Sequence, residues 1–344
     1  MSLMTKPRVV VADDSALMRR IVSNLLVRGG IDVVGSAKDG DEALALCERE
    51  HPDAMTLDLA MPGLGGIDVL KALRRRGGPS IPVVVVSAFS PAHGARAVDA
   101  LAEGAFELVP KPTGNGDVGA FETSLLSKIK LAAKSARPTR PSLRPSPDSR
   151  TRPARRGVTR ALLIATSTGG PRALAAVLPQ LPSPLGLGTM IVQHMPAGFT
   201  TSLAARLDRG SPLTVREAEG GESWDPAVAL VAPGGRHLRL GAGGQTTLSD
   251  EPPLGGLRPR ADLLIEDAAR TWGDRLTLVV LTGMGNDGLR GAKEVHRLGG
   301  RVLVEAEQSC TVYGMPRAIV EANLADDIVA LDHMAAAIAA EVNR

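Results

Sequence analysis

The chain has 344 residues, 44% hydrophobic and 22% charged, the balance of soluble globular domains and a length beyond one ordinary core. No apolar run nears the roughly 20 residues of a membrane span, and the apolar stretch of "MSLMTKPRVVVADD" is too short for that of a signal peptide. Two cysteines, Cys47 and Cys310, make no disulfide framework; a cytoplasmic protein with no direct membrane insertion is expected. The pI of 9.1 is misleading. Between residues 134 and 157, Lys134, seven arginines and Asp148 give +7, so the formal +3 of the chain leaves −4 elsewhere. With 2% aromatics there are few base-stacking platforms, and nucleic acid is not an expected partner.

In chain order, the apolar runs "RVVVA", "IDVVGSA", "DAMTL", "IPVVVVS" and "FELVP" are separated by helix-like stretches such as "SALMRRIVSNLLVRG" and "DEALALCERE". Continuous Val-rich runs between helices predict a parallel sheet covered on both faces. In such a sheet chemistry collects at the carboxyl ends of the strands. Asp13 and Asp14 end the first strand, Asp58 the third and Ser87 the fourth, and Lys111 follows the fifth. Clustered carboxylates repel one another unless a cation sits among them, and a hard ion such as Mg²⁺ suits oxygen ligands. A lysine and a hydroxyl beside one carboxylate suit a phosphoryl group bound to it. Singly, each of these residues reads equally as a helix cap or a surface charge.

"VADDS", "LDLAMPGLGG", "VSAFS" and "GAFELVPKP" resemble the receiver domain of two-component response regulators, over about residues 6–130. The resemblance implies a flavodoxin-like fold in which Asp58 accepts phosphate from a histidine kinase. It further implies that Asp14, Asp58 and the Ala60 carbonyl bind Mg²⁺, with Asp13 acting through water. Ser87 would be the switch hydroxyl, Phe106 the switch aromatic and Lys111 the phosphate-pairing cation.

Next comes "KSARPTRPSLRPSPDSRTRPARRG", rich in Pro, Ser and Arg and without hydrophobic periodicity. It cannot bury enough apolar surface to fold, and is expected to be a flexible linker over residues 134–158. Its reach lies between about 27 Å as a coil and about 75 Å as polyproline II. Domain boundaries of 1–133 and 159–344 follow.

Beyond the linker the alternation resumes with "RALLIAT", "LGTMIVQ" and "AVALVA", then a Gly-rich hairpin around "HLRLGAGGQTTL". The helix "ADLLIEDAARTWG", the strand "LTLVVLTG" and the helix "GLRGAKEVHRLGG" complete a second doubly wound α/β domain. Three strand ends carry candidate chemistry: Ser167, His194 and Asp287. Together they have the residue types of a nucleophile, a general base and an orienting carboxylate. Gly169 and Gly170 would leave backbone N–H groups bare at a helix start, where an oxyanion could form. His237, His296 and His333 fall within a hairpin strand or helices and read as structural or solvated. Rival readings remain open from the residues alone. "STGGP" could be a phosphate loop, although no G-K-[ST] follows. Ser167 or Thr168 could cap the next helix, and Asp287 could be only an N-cap. Cys310 reads as a buried thiol.

"STGGPRAL", "QHMPAGFT", "TGMGNDG" and "YGMPRA" resemble the catalytic domain of the chemotaxis protein-glutamate methylesterases over about residues 159–340. The resemblance implies a catalytic triad of Ser167, His194 and Asp287, with Met284 lining the site and no cofactor in this half. Ala165 and Thr166 depart from the family's glycine and small residue. The implied reaction is hydrolysis of glutamyl methyl esters on methyl-accepting chemoreceptors, with release of methanol; some members of the family also deamidate receptor glutamines. The receiver is then expected to occlude the site until Asp58 is phosphorylated. Two other functions fit parts of the sequence: a non-catalytic receptor-binding scaffold, and a DNA-binding regulator. The second fits poorly with a large output domain that is acidic on average.

Overall fold

A computed structural model describes residues 6–75, 81–88, 91–112, 118–135, 159–241 and 243–343. The chain divides into two compact units, residues 1–143 and 144–344. The expected linker lies outside the described residues, apart from its first two positions, which the last helix of the first unit still includes.

In the first unit, strands β1 (Arg8–Ala12), β2 (Asp32–Ala37), β3 (Ala54–Leu57), β4 (Val83–Ser87) and β5 (Glu107–Pro110) alternate with five helices. These are α1 (Ala16–Arg28), α2 (Gly40–Glu50), α3 (Gly66–Arg75), α4 (Pro91–Ala102) and α5 (Val118–Ser135). The sheet is parallel, in the order β2-β1-β3-β4-β5. Valines 9–11 and 83–86 are buried on both faces, as a sheet covered by helices requires. Polar caps fix the helix starts. Ser15 Oγ accepts from the Met18 N–H, and Asp39 Oδ1 from the Glu42 N–H at 2.9 Å.

The second unit has a seven-stranded sheet in the order β14-β13-β12-β6-β7-β9-β8, every pairing parallel. Its strands are β6 (Ala161–Thr166), β7 (Thr189–Gln193), β8 (Thr214–Glu217), β9 (Val228–Val231), β12 (Leu276–Val280), β13 (Arg301–Glu305) and β14 (Asp327–Val329). β10 (His237–Leu240) and β11 (Thr246–Ser249) form the expected hairpin. The helices are α6 (Gly170–Val177), α7 (Phe199–Asp208), α8 (Ala261–Trp272), α9 (Leu289–Arg297), α10 (Met315–Glu321) and α11 (Leu331–Val342). From β6 the chain builds outward through β7 on one side, then returns to build outward through β12 on the other. The crevice at this reversal, at the carboxyl ends of β6, β7 and β12, is where ligands bind in open α/β sheets.

Candidate functional sites

Three backbone hydrogen bonds carry the ladder past the sheet's end and bring the three strand ends together. Leu281 N–H donates to Ala165 C=O at 3.0 Å, Ser167 N–H to Thr282 C=O at 3.1 Å, and His194 N–H to Thr166 C=O at 3.1 Å. The buried Gln193 carboxamide adds a cross-brace by donating to the carbonyls of both Ser167 and His194, each at 3.0 Å. At Gly283 a Cβ would stand 2.9 Å from Ser167 Cβ, so only glycine lets the loop after β12 lie against the serine. Met284 follows at the surface, 46% exposed.

Within this corner His194 Nε2 lies 2.7 Å from Asp287 Oδ2, and the imidazole is 6% exposed. A carboxylate only accepts, so Nε2 carries a proton, and in the neutral ring the lone pair is then on Nδ1. Nδ1 is buried and has no hydrogen-bond partner. Asp287 is held far more fully. Oδ2 also accepts from Ala261 N–H at 2.7 Å, and Oδ1 accepts from Asp262 N–H and Gly288 N–H, each at 2.9 Å. Arg260 Nε stands 3.0 Å from Oδ1. Burial alone would raise this carboxyl's pKa, but His194 and the backbone N–H groups of α8 together hold it below the ordinary aspartate value.

Asp287 is therefore an N-cap, but for α8 rather than for α9, the helix that follows it. The reciprocal cap comes from Asp262 in the first turn of α8, whose Oδ1 accepts from Gly288 N–H and Gly291 N–H, each at 2.9 Å. The competing cap reading of Ser167 and Thr168 fails, since the N-cap of α6 is Gly169. Gly169 has φ +82°, and a Cβ there would stand 2.5 Å from Thr311. Of the two glycine N–H groups, that of Gly170 is spent on the Ser167 carbonyl at 2.8 Å. Thr166 fits without distortion, fully buried, with Oγ1 donating to Thr282 C=O at 2.9 Å.

At the carboxyl edge of the first unit's sheet, Lys111 Nζ pairs with Asp13 Oδ2 and Asp58 Oδ2, each at 2.7 Å. Oxygens of Asp13, Asp14 and Asp58 all lie within 4.8 Å of one another. Three carboxylates against one ammonium leave excess negative charge on oxygen donors, which fits a hard divalent cation such as Mg²⁺. The cost is visible at Asp13, where burial raises the carboxyl pKa and the nearby Asp58 adds to the rise, only partly offset by Lys111. Ser87 is buried beside them, and its carbonyl accepts from Lys111 N–H at 2.8 Å. Phe106 is not brought to this site. Its N–H bonds to Val83 C=O at the opposite end of β4, four residues and about 13 Å along the strand from Ser87. It is a buried side chain just before β5.

Comparison with known proteins agrees with both halves. Residues 162–338 match the CheB methylesterase family, and residues 9–120 match the response regulator receiver domain. A protein-glutamate methylesterase/protein-glutamine glutaminase of Myxococcus xanthus is 40% identical over 98% of each chain. The chain belongs to the CheB methylesterase family. A similarly named protein of Symbiobacterium thermophilum is 38% identical over 96% of each chain. The Thermotoga maritima CheB methylesterase catalytic domain covers 53% of this chain and 98% of its own, at 39% identity and a TM-score of 0.51. This chain is thus a receiver-linked hydrolase of that family.

Several residues that shape this CheB-type site were not found by sequence reasoning. Arg260 and Asp262 sit before and within a helix read only for its periodicity, and Gln193 was read as the last residue of a strand. Glu305 ends β13, and its fully buried carboxylate accepts from Thr282 N–H at 2.8 Å and Ser309 Oγ at 3.0 Å. Burial raises the Glu305 pKa and, together with Glu305 itself, raises that of the Cys310 thiol. His237 is fully buried: Nδ1 accepts from Arg260 N–H at 3.1 Å and Nε2 faces Pro252 C=O at 3.3 Å. His296 and His333 are exposed. Among the described residues no helix is long and apolar enough to cross a membrane.

Proposed function

We propose that Ser167, His194 and Asp287 act as nucleophile, base and orienter in hydrolysing glutamyl methyl esters of chemoreceptors. The observation that carries the reading is the 2.7 Å contact of His194 Nε2 with Asp287, which leaves the buried Nδ1 without a partner on a residue whose own N–H is bonded to the carbonyl of Thr166, next to Ser167 in the chain. Nδ1 takes the Ser167 hydroxyl proton as Oγ bonds to the ester carbonyl carbon. The developing oxyanion is met by the Gly169 N–H at the start of α6, since the Gly170 N–H is already engaged. His194 then returns the proton to the departing methoxide, and methanol leaves. Water, deprotonated by the same nitrogen, attacks the acyl-enzyme, and collapse returns the proton to Ser167 and frees glutamate. The same sequence acting on a receptor glutamine releases ammonia.

The first unit governs this activity. Asp58 accepts phosphate from a histidine kinase; Lys111 and Ser87 contact the phosphoryl oxygens. Asp13, Asp14 and Asp58 hold Mg²⁺, which neutralises phosphoryl charge when bound. The unphosphorylated receiver restrains the esterase, and phosphorylation shifts the population to a released state. Methanol release from methylated receptor membranes, measured with and without acetyl phosphate and Mg²⁺, tests the reading. Release that persists in Ser167→Ala would sink it, and a fragment 159–344 no faster than the unphosphorylated chain would remove the restraint.

A further inference from the structure

Three residues do not account for all the charge at this corner. The Arg260 side chain is 20% exposed and each of its three guanidinium nitrogens has a partner. Nε faces Asp287 Oδ1 at 3.0 Å, one terminal nitrogen meets Asp262 Oδ2 at 2.9 Å, and the other donates to Leu254 C=O at 3.1 Å. Arg260 thus clasps both carboxylates of the crossed caps, each of which starts the other's helix.

The charge has a consequence for His194. A carboxylate hydrogen-bonded to an imidazole favours the imidazolium, and a base already protonated near neutrality cannot accept the serine proton. Arg260 addresses the other oxygen of that same carboxylate, and its positive charge opposes a second one on the ring. Among the described residues, the other groups around this corner come from α6, α8, β10, β13 and the loop before α9: Arg172, on α6, acts on Glu305. Asp262 comes from α8 and Asp287 from the loop before α9. His237, on β10, is tied to the Arg260 backbone. Glu305, on β13, lies behind Thr282.

We infer that Arg260 is a positioning residue for the reaction: it locks Asp287 into the crossed caps, and its charge keeps His194 neutral at the working pH. The inference rests on the relay proposed above. Lysine would supply the charge without the planar fork that reaches two carboxylates at once.

The test is the titration of the His194 imidazole, followed by NMR in the full chain and assigned by its loss in His194→Gln. Arg260→Gln is expected to raise the His194 pKa by about half a unit or more. Arg260→Lys should keep most of the original value, and Asp262→Asn should shift it downward. The acid limb of kcat/KM for methanol release, taken with Mg²⁺ and acetyl phosphate present, should move with the ring. Activity in Arg260→Gln would then fall about threefold on that limb, with KM unchanged. An unmoved titration in Arg260→Gln, with activity lowered equally at every pH, would overturn the inference and leave Arg260 a structural clamp. If circular dichroism shows Arg260→Gln unfolded, Asp262→Asn decides: a downward shift supports the inference, and none or an upward one ends it. The two readings fail separately. Full activity in Ser167→Ala removes the relay, whereas an inactive Ser167→Ala with unmoved titrations removes only the tuning.

Discussion

The chain places reactive aspartates at the carboxyl edges of two parallel sheets and treats them in opposite ways. Asp287 is saturated. Its two oxygens meet three backbone N–H groups, His194 and Arg260, and its pKa is pulled below the ordinary value. Asp58 shares one lysine with Asp13 and otherwise accepts from the Ala60 N–H at 3.3 Å, with two further carboxylates crowding it. In the mechanism proposed above, the carboxylate that orients an imidazole without reacting is the fully coordinated one, while the one that takes up phosphate keeps free lone pairs and an excess of local charge. On that reading one residue type at the carboxyl edge of a parallel sheet serves two chemistries, and the number and sign of its partners decide which.

The sharpest challenge to this contrast is chemical. Ser167→Ala should lower methanol release by about 10⁴-fold or more, while acetyl phosphate still labels Asp58. Asp287→Asn is expected to cost about 10³- to 10⁴-fold in kcat, because an amide at this position cannot fix the tautomer of His194. Asp58→Asn should abolish the stimulation that acetyl phosphate and Mg²⁺ give, measured by the same assay.

The smallest effects test the electrostatics. The folded-state pKa of Asp287 is depressed, so its contribution to stability is complete above the unfolded value of about 4 and is lost as pH falls below it. Asp287→Asn should therefore melt earlier than the parent at pH 7 by about 2–4 °C per kcal/mol lost, and the gap should close in acid. Asp13 has the opposite sign. Its raised pKa makes the ionised form a cost at neutral pH, a cost that disappears as acid protonates it. Asp13→Asn is expected to melt later than the parent at pH 7 without Mg²⁺. Saturating Mg²⁺ should reverse that order, because only the parent has the full ligand set. Calorimetry reads both, and a change of the same sign in the two variants would end the comparison.

Much of this was legible in the residues. Val-rich runs of both halves became parallel strands, buried except at the edge strand β2, and the Gly-rich segment after β9 became a hairpin, because period and turn chemistry are local properties. Ser167 and His194 could be placed at strand ends for the same reason, whereas Asp287, read as a strand-end residue, lies in the loop seven residues beyond β12. β13 was not legible. Its sequence RVLVE begins and ends in charge, yet Arg301 is paired with Asp326 at 2.9 Å and Glu305 with Thr282 N–H, partners that only the fold supplies. The edge strand β8, with two exposed and two charged positions, carries too weak a pattern to be read. Arg260 and Asp262 were missed because a cap normally lies in its own helix, whereas here the acceptors are exchanged between helices 25 or more residues apart. Phe106 was misplaced by motif proximity to Lys111, which ignores the length of strand between them.

The exchange of caps between α8 and α9 also bears on how this region comes apart. Neither helix can fray at its first turn without stripping the other of its acceptor, so the amides of residues 261, 262, 288 and 291 belong to one cooperative opening event. Hydrogen exchange at these four positions should proceed at a common rate, and that shared rate would report, without any substrate, when the reactive corner is assembled.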